Sequence, residues 1–393
     1  MQRVAIIGGG PAGARAAFRL AAEGTPVTLF ESRRDHEKAC GGGIPARGME
    51  EYPFLADPGL PVRQVDSILL ISPRGREALV PLPEPIGMFR RADLHRVMIE
   101  AAVAAGARLA RERVTRFERS RDGWRLRTDR IDSDAAATPF DLLIAADGAG
   151  GFARRRLSGD IPASGLTQAV GRYLHGVTGT TATLRFYAGL PGYLWGFPRV
   201  DHASVGICAP LGSVPAADLR RLVEEHLLAR YGAGSLERSD PYAALIPDAP
   251  DHPDPARLAG ADWAVAGDGA RAVDPLTREG IYFALVSADL LADAILGGRL
   301  ADYGAGFVAR LGGEFAWAAR HQATFFDPRF VERLVRLAER SARIRSILAA
   351  LVSGRQPYRT LRRRLIRSAP RVAWEMLRPR QGPAAPLNGA RGS

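Results

Sequence analysis

The apolar tetrapeptide Val4-Ala5-Ile6-Ile7 runs directly into Gly8-Gly9-Gly10-Pro11-Ala12-Gly13, and an alanine-rich stretch follows from Ala14 to Ala22. The first reads as a short buried strand and the last as a helix, so the glycines occupy the turn between them. Gly8 is expected to take the sharp backbone turn, Gly10 to let a pyrophosphate approach the chain, and Gly13 to let the helix pack on its strand, with Ala12 in the same turn. Free N–H groups at the helix start then face the phosphates, together with the positive end of the helix dipole. A second apolar run, Val27 to Phe30, ends at Glu31. That carboxylate stands about 20 residues beyond the glycines, where an acid hydrogen-bonds an adenosine ribose. The segment therefore reads as a dinucleotide site.

Two later segments narrow the dinucleotide to a flavin. Asp141 to Ala146 forms an apolar run that ends in Asp147-Gly148-Ala149-Gly150-Gly151, and Trp263 to Ala266 ends in Gly267-Asp268. Each strand end places a carboxylate and a flexible turn beside the cofactor, and Asp268 is expected to bind the ribityl chain or the pyrophosphate edge. Asp274-Pro275-Leu276-Thr277-Arg278-Glu279-Gly280 follows, after which Ile281, Leu285, Ala288, Leu291 and Ile295 recur at helical spacing. A helix starting after Gly280 points its N-terminus at whatever the Pro275–Gly280 loop holds. If that is the pyrimidine side of an isoalloxazine, the dipole favours the anionic reduced flavin by ~0.3–1 kcal/mol. The expected FAD contacts are Gly8, Gly10, Ala12, Gly13, Glu31, Arg91, Asp147, Gly148, Gly267, Asp268, Pro275, Glu279, Gly280 and Ile281.

These segments resemble the flavoprotein superfamily that includes p-hydroxybenzoate hydroxylase, flavin-dependent halogenases and geranylgeranyl reductases, and the resemblance covers most of the chain. Three stretches are similar to the geranylgeranyl reductase branch: Cys40-Gly41-Gly42-Gly43-Ile44-Pro45, Gly192-Tyr193-Leu194-Trp195-Gly196-Phe197-Pro198, and Asp274-Pro275 through Gly280-Ile281-Tyr282-Phe283-Ala284-Leu285. The resemblance implies FAD-dependent reduction of carbon–carbon double bonds in a prenyl (geranylgeranyl-type) or related apolar lipid. Arg91-Ala92-Asp93-Leu94-His95-Arg96 reads more like the aromatic hydroxylases, which keeps open a single-component monooxygenase of hydroxylase or natural-product tailoring type. The lysine that halogenases use has no counterpart, because the only lysine, Lys38, lies in a different segment. A flavoprotein that only senses redox state or anchors a complex is a further class.

The 393 residues, 46% apolar and 24% charged, suit a soluble globular chain of two or three domains. No apolar run reaches the 18 residues of a membrane span, and the chain enters its first strand at once, so the expected location is cytoplasmic. With only Cys40 and Cys208, a disulfide framework and a cysteine metal cluster are both excluded. The net charge of +12 comes from 53 arginines and one lysine. That bias reads as coding composition rather than as phosphate contacts, so no nucleic-acid partner is expected. The arginines concentrate between Arg329 and Arg380, around a helical stripe of Phe330, Leu334, Leu337, Ile344, Ile347, Leu348 and Leu351. Such a stripe packs on the flavin domain in the favoured reading. In the other it lies peripherally on an anionic membrane, each basic residue contributing about 1 kcal/mol.

The expected fold class is α/β with an α+β substrate lid. A Rossmann-type FAD-binding domain (1–60, 91–158, 255–310) carries an inserted antiparallel-sheet substrate domain (61–90, 159–254), a C-terminal helical region (311–380) and a flexible tail (381–393). Strands are expected at Ile68–Ile71, Thr181–Tyr187, Tyr193–Phe197 and Ala203–Cys208, with a hairpin turn at Asp201-His202. Helices are expected at 92–105 and 216–231.

In a reductase, a hydride from flavin N5 adds to one alkene carbon and a proton must reach the other, while the protein supplies position and electrostatics. No second glycine fingerprint exists for a nicotinamide domain, so the flavin is expected to be reduced by docked NAD(P)H or another external carrier. Cys40, which the resemblance places by the ring, is the candidate near the proton's destination; a small thiol that only packs is the alternative. Tyr193, Trp195 and Phe197 alternate along a strand and so share one face, which suits an apolar pocket. Arg278 is expected to border the flavin, and His95 to be a helix surface residue.

Overall fold

The computed structural model describes residues 2–33, 37–250 and 252–377. The first half of the chain contains β1 (Val4–Ile7), α1 (Pro11–Ala22), β2 (Val27–Phe30), β3 (Gly43–Ile44), α2 (Ala46–Glu51), β4 (Val62–Ile71), β5 (Glu77–Phe89) and α3 (Arg91–Ala104). There follow β6 (Arg108–Ala110), a hairpin of β7 (Val114–Ser120) and β8 (Gly123–Thr128), β9 (Leu142–Ala145) and α4 (Phe152–Ser158). The second half continues with β10 (Leu166–His175), β11 (Thr181–Arg185), β12 (Tyr193–Pro198), β13 (His202–Pro210), α5 (Ala216–Tyr231), β14 (Ser239–Pro247), β15 (Trp263–Val265) and α6 (Ile281–Leu296). Five helices close the described chain: α7 (Tyr303–Phe307), α8 (Gly313–Phe325), α9 (Pro328–Arg340), α10 (Ala342–Val352) and α11 (Tyr358–Leu377).

The first sheet is parallel, in the order β15-β9-β1-β2-β6. Its strands read as continuous apolar runs because both faces are covered, and every residue of β1, β2 and β9 is buried. Helix α1 starts at Pro11, where the missing N–H costs nothing, and buries an almost all-alanine face. Its outer side is tied to α6 by Arg15 to Asp289 (2.7 Å) and Arg19 to Asp293 (2.7 Å).

The second sheet has eight strands in the order β14-β10-β13-β12-β11-β4-β5-β3. It is mixed rather than wholly antiparallel, since β4 and β11 pair in parallel. Ile44, expected in the cofactor segment, sits in its edge strand β3. The Asp201-His202 turn joins β12 and β13 as expected. Three strands had weak sequence signals: β10, β14 and the 13-residue β5. Strand β5 carries Pro81, Pro83 and Pro85, which argue against a central strand. It is tolerated because β4 pairs along one side while β3 touches only Gly87 and Met88 on the other.

Alternation along β12 divides its side chains between two cores. Leu194 packs with Leu219, Val223 and Leu227 of α5, while Tyr193, Trp195 and Phe197 turn to the opposite face. Helices α9 and α10 cover Val65, Ile68, Leu70 and Val80 through Val331, Val335, Ala338 and Ile344. The C-terminal apolar stripe therefore covers the second sheet rather than the flavin domain expected, with Asp327 capping α9 at the amides of Arg329 and Phe330. The expected tail, 381–393, lies outside the described residues.

Leu20 of α1 is fully enclosed in the first core, whereas Ile366 of α11 is 63% exposed. Leu20→Ala should cost about 2–5 kcal/mol in urea unfolding, and Ile366→Ala less than about 0.5 kcal/mol. A reversed order would contradict this packing.

Candidate flavin and substrate site

Between the two sheets lies one cavity of about 950 Å³, which runs from the glycine turn at Gly8 and Gly10 to the apolar wall formed by α9 and α10. Gly8 adopts φ +102°, a left-handed value that favours glycine, and a Cβ on Gly13 would stand 1.9 Å from the Gly8 carbonyl oxygen. Helix α1 can approach its strand only because position 13 has no side chain. By contrast, a Cβ on Gly10, Gly148 or Gly150 would meet nothing within 4 Å. These three border open space within the cavity. No side chain caps α1, so its first N–H groups are left for a ligand.

Glu31, at the end of β2, accepts the amides of Gly9 and Arg33, both at 2.8 Å. Burial alone would raise its carboxyl, but His95 and these amides hold it down, to about 2. A fixed carboxylate thus stands ready for ribose hydroxyls. His95 is not the surface residue expected: its Nε2 lies 3.6 Å from the Glu31 carboxylate and it lines the cavity.

The Asp147 carboxylate accepts the amides of Ala153 (2.7 Å) and Arg154 (3.2 Å), so it caps α4 while its residue borders the cavity. Asp268 also borders the cavity and pairs with Lys38 at 2.8 Å, and this ammonium outweighs burial to keep the carboxyl ionised below its usual range. Gly267, Gly280 and Ile281 line the wall with Arg91. Pro275 does not: it is turned away, its carbonyl accepting Gln322 Nε2 at 2.9 Å. Gly13 likewise acts through packing rather than by facing the cavity.

The loop from Asp274 to Gly280 is closed on itself. Asp274 accepts the amides of Leu276 (2.8 Å) and Thr277 (2.9 Å), and Tyr358 of α11 donates its hydroxyl to the same carboxylate at 2.9 Å. Arg278 holds a left-handed φ of +59° and pairs with Asp248. Strain of this kind persists only where surrounding contacts enforce it. Glu279 leaves one buried carboxyl oxygen without a partner. Burial, with Asp274 adding to it and Arg47 opposing, pushes its carboxyl up to about 8, so it is neutral at pH 7.

Cys40, Tyr193 and Trp195 meet in the same wall as Phe197 and Tyr242. The Tyr193 hydroxyl donates to the Thr277 carbonyl, joining the aromatic face to the Asp274–Gly280 loop, and its ring stacks with Phe326 at 6.3 Å. Around Cys40 are residues that the sequence did not assign to the site: Glu37, Arg199, Ser204 and His202, the last expected only as part of a hairpin turn. Arg199 follows a Phe-Pro pair in what reads as a polar turn, and nothing in that context signals burial.

The residues present fit FAD: an uncapped helix start behind glycines that border open space, a fixed carboxylate one strand away, and a closed loop leading into a helix. The pyridine nucleotide-disulphide oxidoreductase model matches residues 2–181. A geranylgeranyl diphosphate reductase of Synechocystis is 28% identical over 318 residues, 75% of each chain. This chain is an FAD-dependent oxidoreductase related to the geranylgeranyl reductases. A menaquinone reductase of Mycolicibacterium smegmatis is 26% identical over 386 residues, spanning 89% of this chain and 91% of its own. In fold, a geranylgeranyl bacteriochlorophyll reductase-like protein of Thermoplasma acidophilum superposes with a TM-score of 0.73 at 18% identity, over 93% of this chain and 98% of that one. Among the described residues of this reductase relative, no group of side chains could hold a metal ion.

Two outcomes check the site. Glu31→Gln removes a charge-assisted acceptor that supplies about 1.5–3 kcal/mol, so the Kd for FAD titrated into apoprotein should rise at least about tenfold; an unchanged Kd would remove Glu31 from the site. Glu279 is held neutral by the fold, with its carboxyl raised from 4.5 to about 8. Its contribution to stability is therefore full below pH 4.5 and is lost as pH rises towards 8. Apoprotein stability should fall across that window more steeply in the wild type than in Glu279→Gln, and parallel urea profiles would contradict the assignment.

Proposed function

We propose that this protein reduces carbon–carbon double bonds of a prenyl or related apolar lipid. The observation that carries this reading is the continuity of one cavity. At one end it has the glycine turn and Glu31; at the other, Ile68, Leu70, Val80, Leu334 and Leu348 form an apolar wall, with Cys40 and the aromatic face between them. Relatives named for reduction of geranylgeranyl diphosphate and of menaquinone support the same class.

Reduced flavin supplies the hydride when bound. The chain's own residues do the rest. Tyr193, Trp195 and Phe197 give an alkene an apolar surface and exclude water, and the Asp274–Gly280 loop holds the cofactor's redox end. Cys40 presents its thiol to the cavity, where it can give a proton to the second alkene carbon as the hydride reaches the first. Glu279, neutral at pH 7, places no charge in that wall. The electrons come from outside the chain, through NAD(P)H or another carrier.

Contact with a membrane is the finer part of this reading. The stripe of α9 is covered by the sheet, but α11 leaves Ile366, Trp374 and Leu377 largely exposed among Arg362, Arg363 and Arg367. No described helix is long and apolar enough to cross a membrane. An interfacial helix of this composition suits an anionic lipid surface. Co-sedimentation with vesicles containing phosphatidylglycerol is expected, and it should be lost in the Ile366→Glu, Leu377→Glu double variant; equal sedimentation of both would reject the contact.

The deciding experiment reduces the flavin without oxygen, adds geranylgeranyl diphosphate or menaquinone, and follows flavin reoxidation with product mass. Reoxidation with a gain of two hydrogens supports reduction. Reoxidation that requires oxygen and adds one oxygen atom makes the protein a monooxygenase. Cys40→Ala should lower the rate of the alkene step by about 10²–10⁴-fold, the range of a positioned proton donor, with flavin binding kept; unimpaired turnover would remove the thiol from the step.

A further inference from the structure

Arg199 lies in the turn between β12 and β13 with 0% of its surface exposed. An enclosed guanidinium is costly unless its donors are paired. Its Nε donates to the Gly41 carbonyl at 3.3 Å, Nη2 to the Cys40 carbonyl, and Nη1 to the Glu37 carboxylate, with His202 Nε2 3.3 Å away. Three of these partners belong to 37–42, a stretch with no helix or strand of its own. Ser204 Oγ gives the Cys40 carbonyl a second donor at 3.0 Å, and the Tyr173 hydroxyl donates to the Lys38 carbonyl at 3.2 Å. The Glu37 carboxylate also accepts the amides of Arg91 (3.1 Å, on the oxygen shared with Arg199) and Ala92 (2.9 Å, on the other oxygen), which are the first two of α3. One ion pair thus joins three separate parts of the chain: the sheet turn, the Cys40 loop and the N-terminus of α3.

We propose that Arg199, anchored by Glu37, is a positioning residue that fixes the Cys40 backbone so that the thiol faces the cavity beside Arg91. Within 37–42 the backbone makes one backbone bond to the sheets, from the Phe89 amide to the Gly42 carbonyl at 2.9 Å, and a Cβ at Gly42, which has φ +81°, would lie 2.4 Å from the Phe89 carbonyl and 2.9 Å from Arg199 Nε. The Gly42 amide donates to Cys40 Sγ at 3.3 Å, so the thiol's own orientation depends on the same clamp. Charged and titratable groups face the thiol from every side: Arg91 from α3, Arg199 with Glu37 and His202 behind it, and Tyr173, Tyr193 and Tyr242 from β10, β12 and β14. Burial would raise the thiol, but the Arg91 and Arg199 charges outweigh it and hold it below its ordinary value.

The proposal rests on reading Cys40 as a working group of the cavity, and its test needs neither substrate nor turnover. An unshifted thiol and a failed alkene assay are therefore separate results. Full-length protein is alkylated with iodoacetamide across a pH range and followed by intact mass. Cys208 is fully enclosed, and Cys40→Ala sets its background rate. Arg199→Gln should move the midpoint of Cys40 alkylation up by about one pH unit or more, a tenfold smaller thiolate fraction at a given pH below the midpoint. Arg199→Lys keeps the charge but cannot reach all three acceptors, and should move the midpoint part of the way. A folded Arg199→Gln or Arg199→Lys protein, judged by near-UV circular dichroism, with the wild-type midpoint would overturn the proposal. Should Arg199→Gln fail to fold, the lysine variant alone decides, because a role of charge without position predicts no shift there.

Discussion

The absence of a side chain at residue 13 is the constraint on which the rest of the molecule depends. With the Gly8 carbonyl oxygen 1.9 Å from where a Cβ would sit, even alanine would push α1 away from β1. The helix start would then withdraw from the cavity, and the ion pairs from Arg15 and Arg19 to α6 would lose their partners. Since α6 begins directly after Gly280, a shift there would carry into the Asp274–Gly280 loop. One methyl-sized space thus couples the glycine-turn end of the cavity to the Asp274–Gly280 loop.

The far end of that coupling is reached from the C-terminal helices. Tyr358 opens α11, stacks with Trp317 of α8 at 5.9 Å and places its hydroxyl on Asp274. The helical region is therefore part of the cavity wall, since it holds the carboxylate around which the loop closes. Burial and the neighbouring Asp274 push the Tyr358 hydroxyl well above its usual value, so it is a donor to that carboxylate at neutral pH.

The flavin half was legible in the sequence because each device there is local. Strand, glycine turn, helix and acid lie within the first 31 residues, and the Asp147 and Asp268 strand ends repeat the arrangement. Helices α5 and α6 were likewise readable from their own spacing. The second sheet was only partly visible, because the prolines of β5 oppose a strand unless one knows that its edge is free. The aromatic face of β12 was readable as an alternation at Tyr193, Trp195 and Phe197. What held Cys40 in place was not: Glu37, Arg199 and Ser204 lie up to 167 positions apart in the chain and resemble ordinary polar turn residues until the fold brings them together. Asp147 shows the converse, a residue whose position was foreseen but whose carboxylate serves the next helix.

The three prolines of β5 have a consequence beyond tolerance of their own strand. This strand lies next to the end of an eight-stranded sheet, and for most of its length no strand covers its outer side. Prolines 81, 83 and 85 delete three backbone donors from that rim. A neighbouring molecule in a crowded cell therefore finds no continuous ladder onto which to add a strand, and a long sheet can end in solvent without seeding fibres.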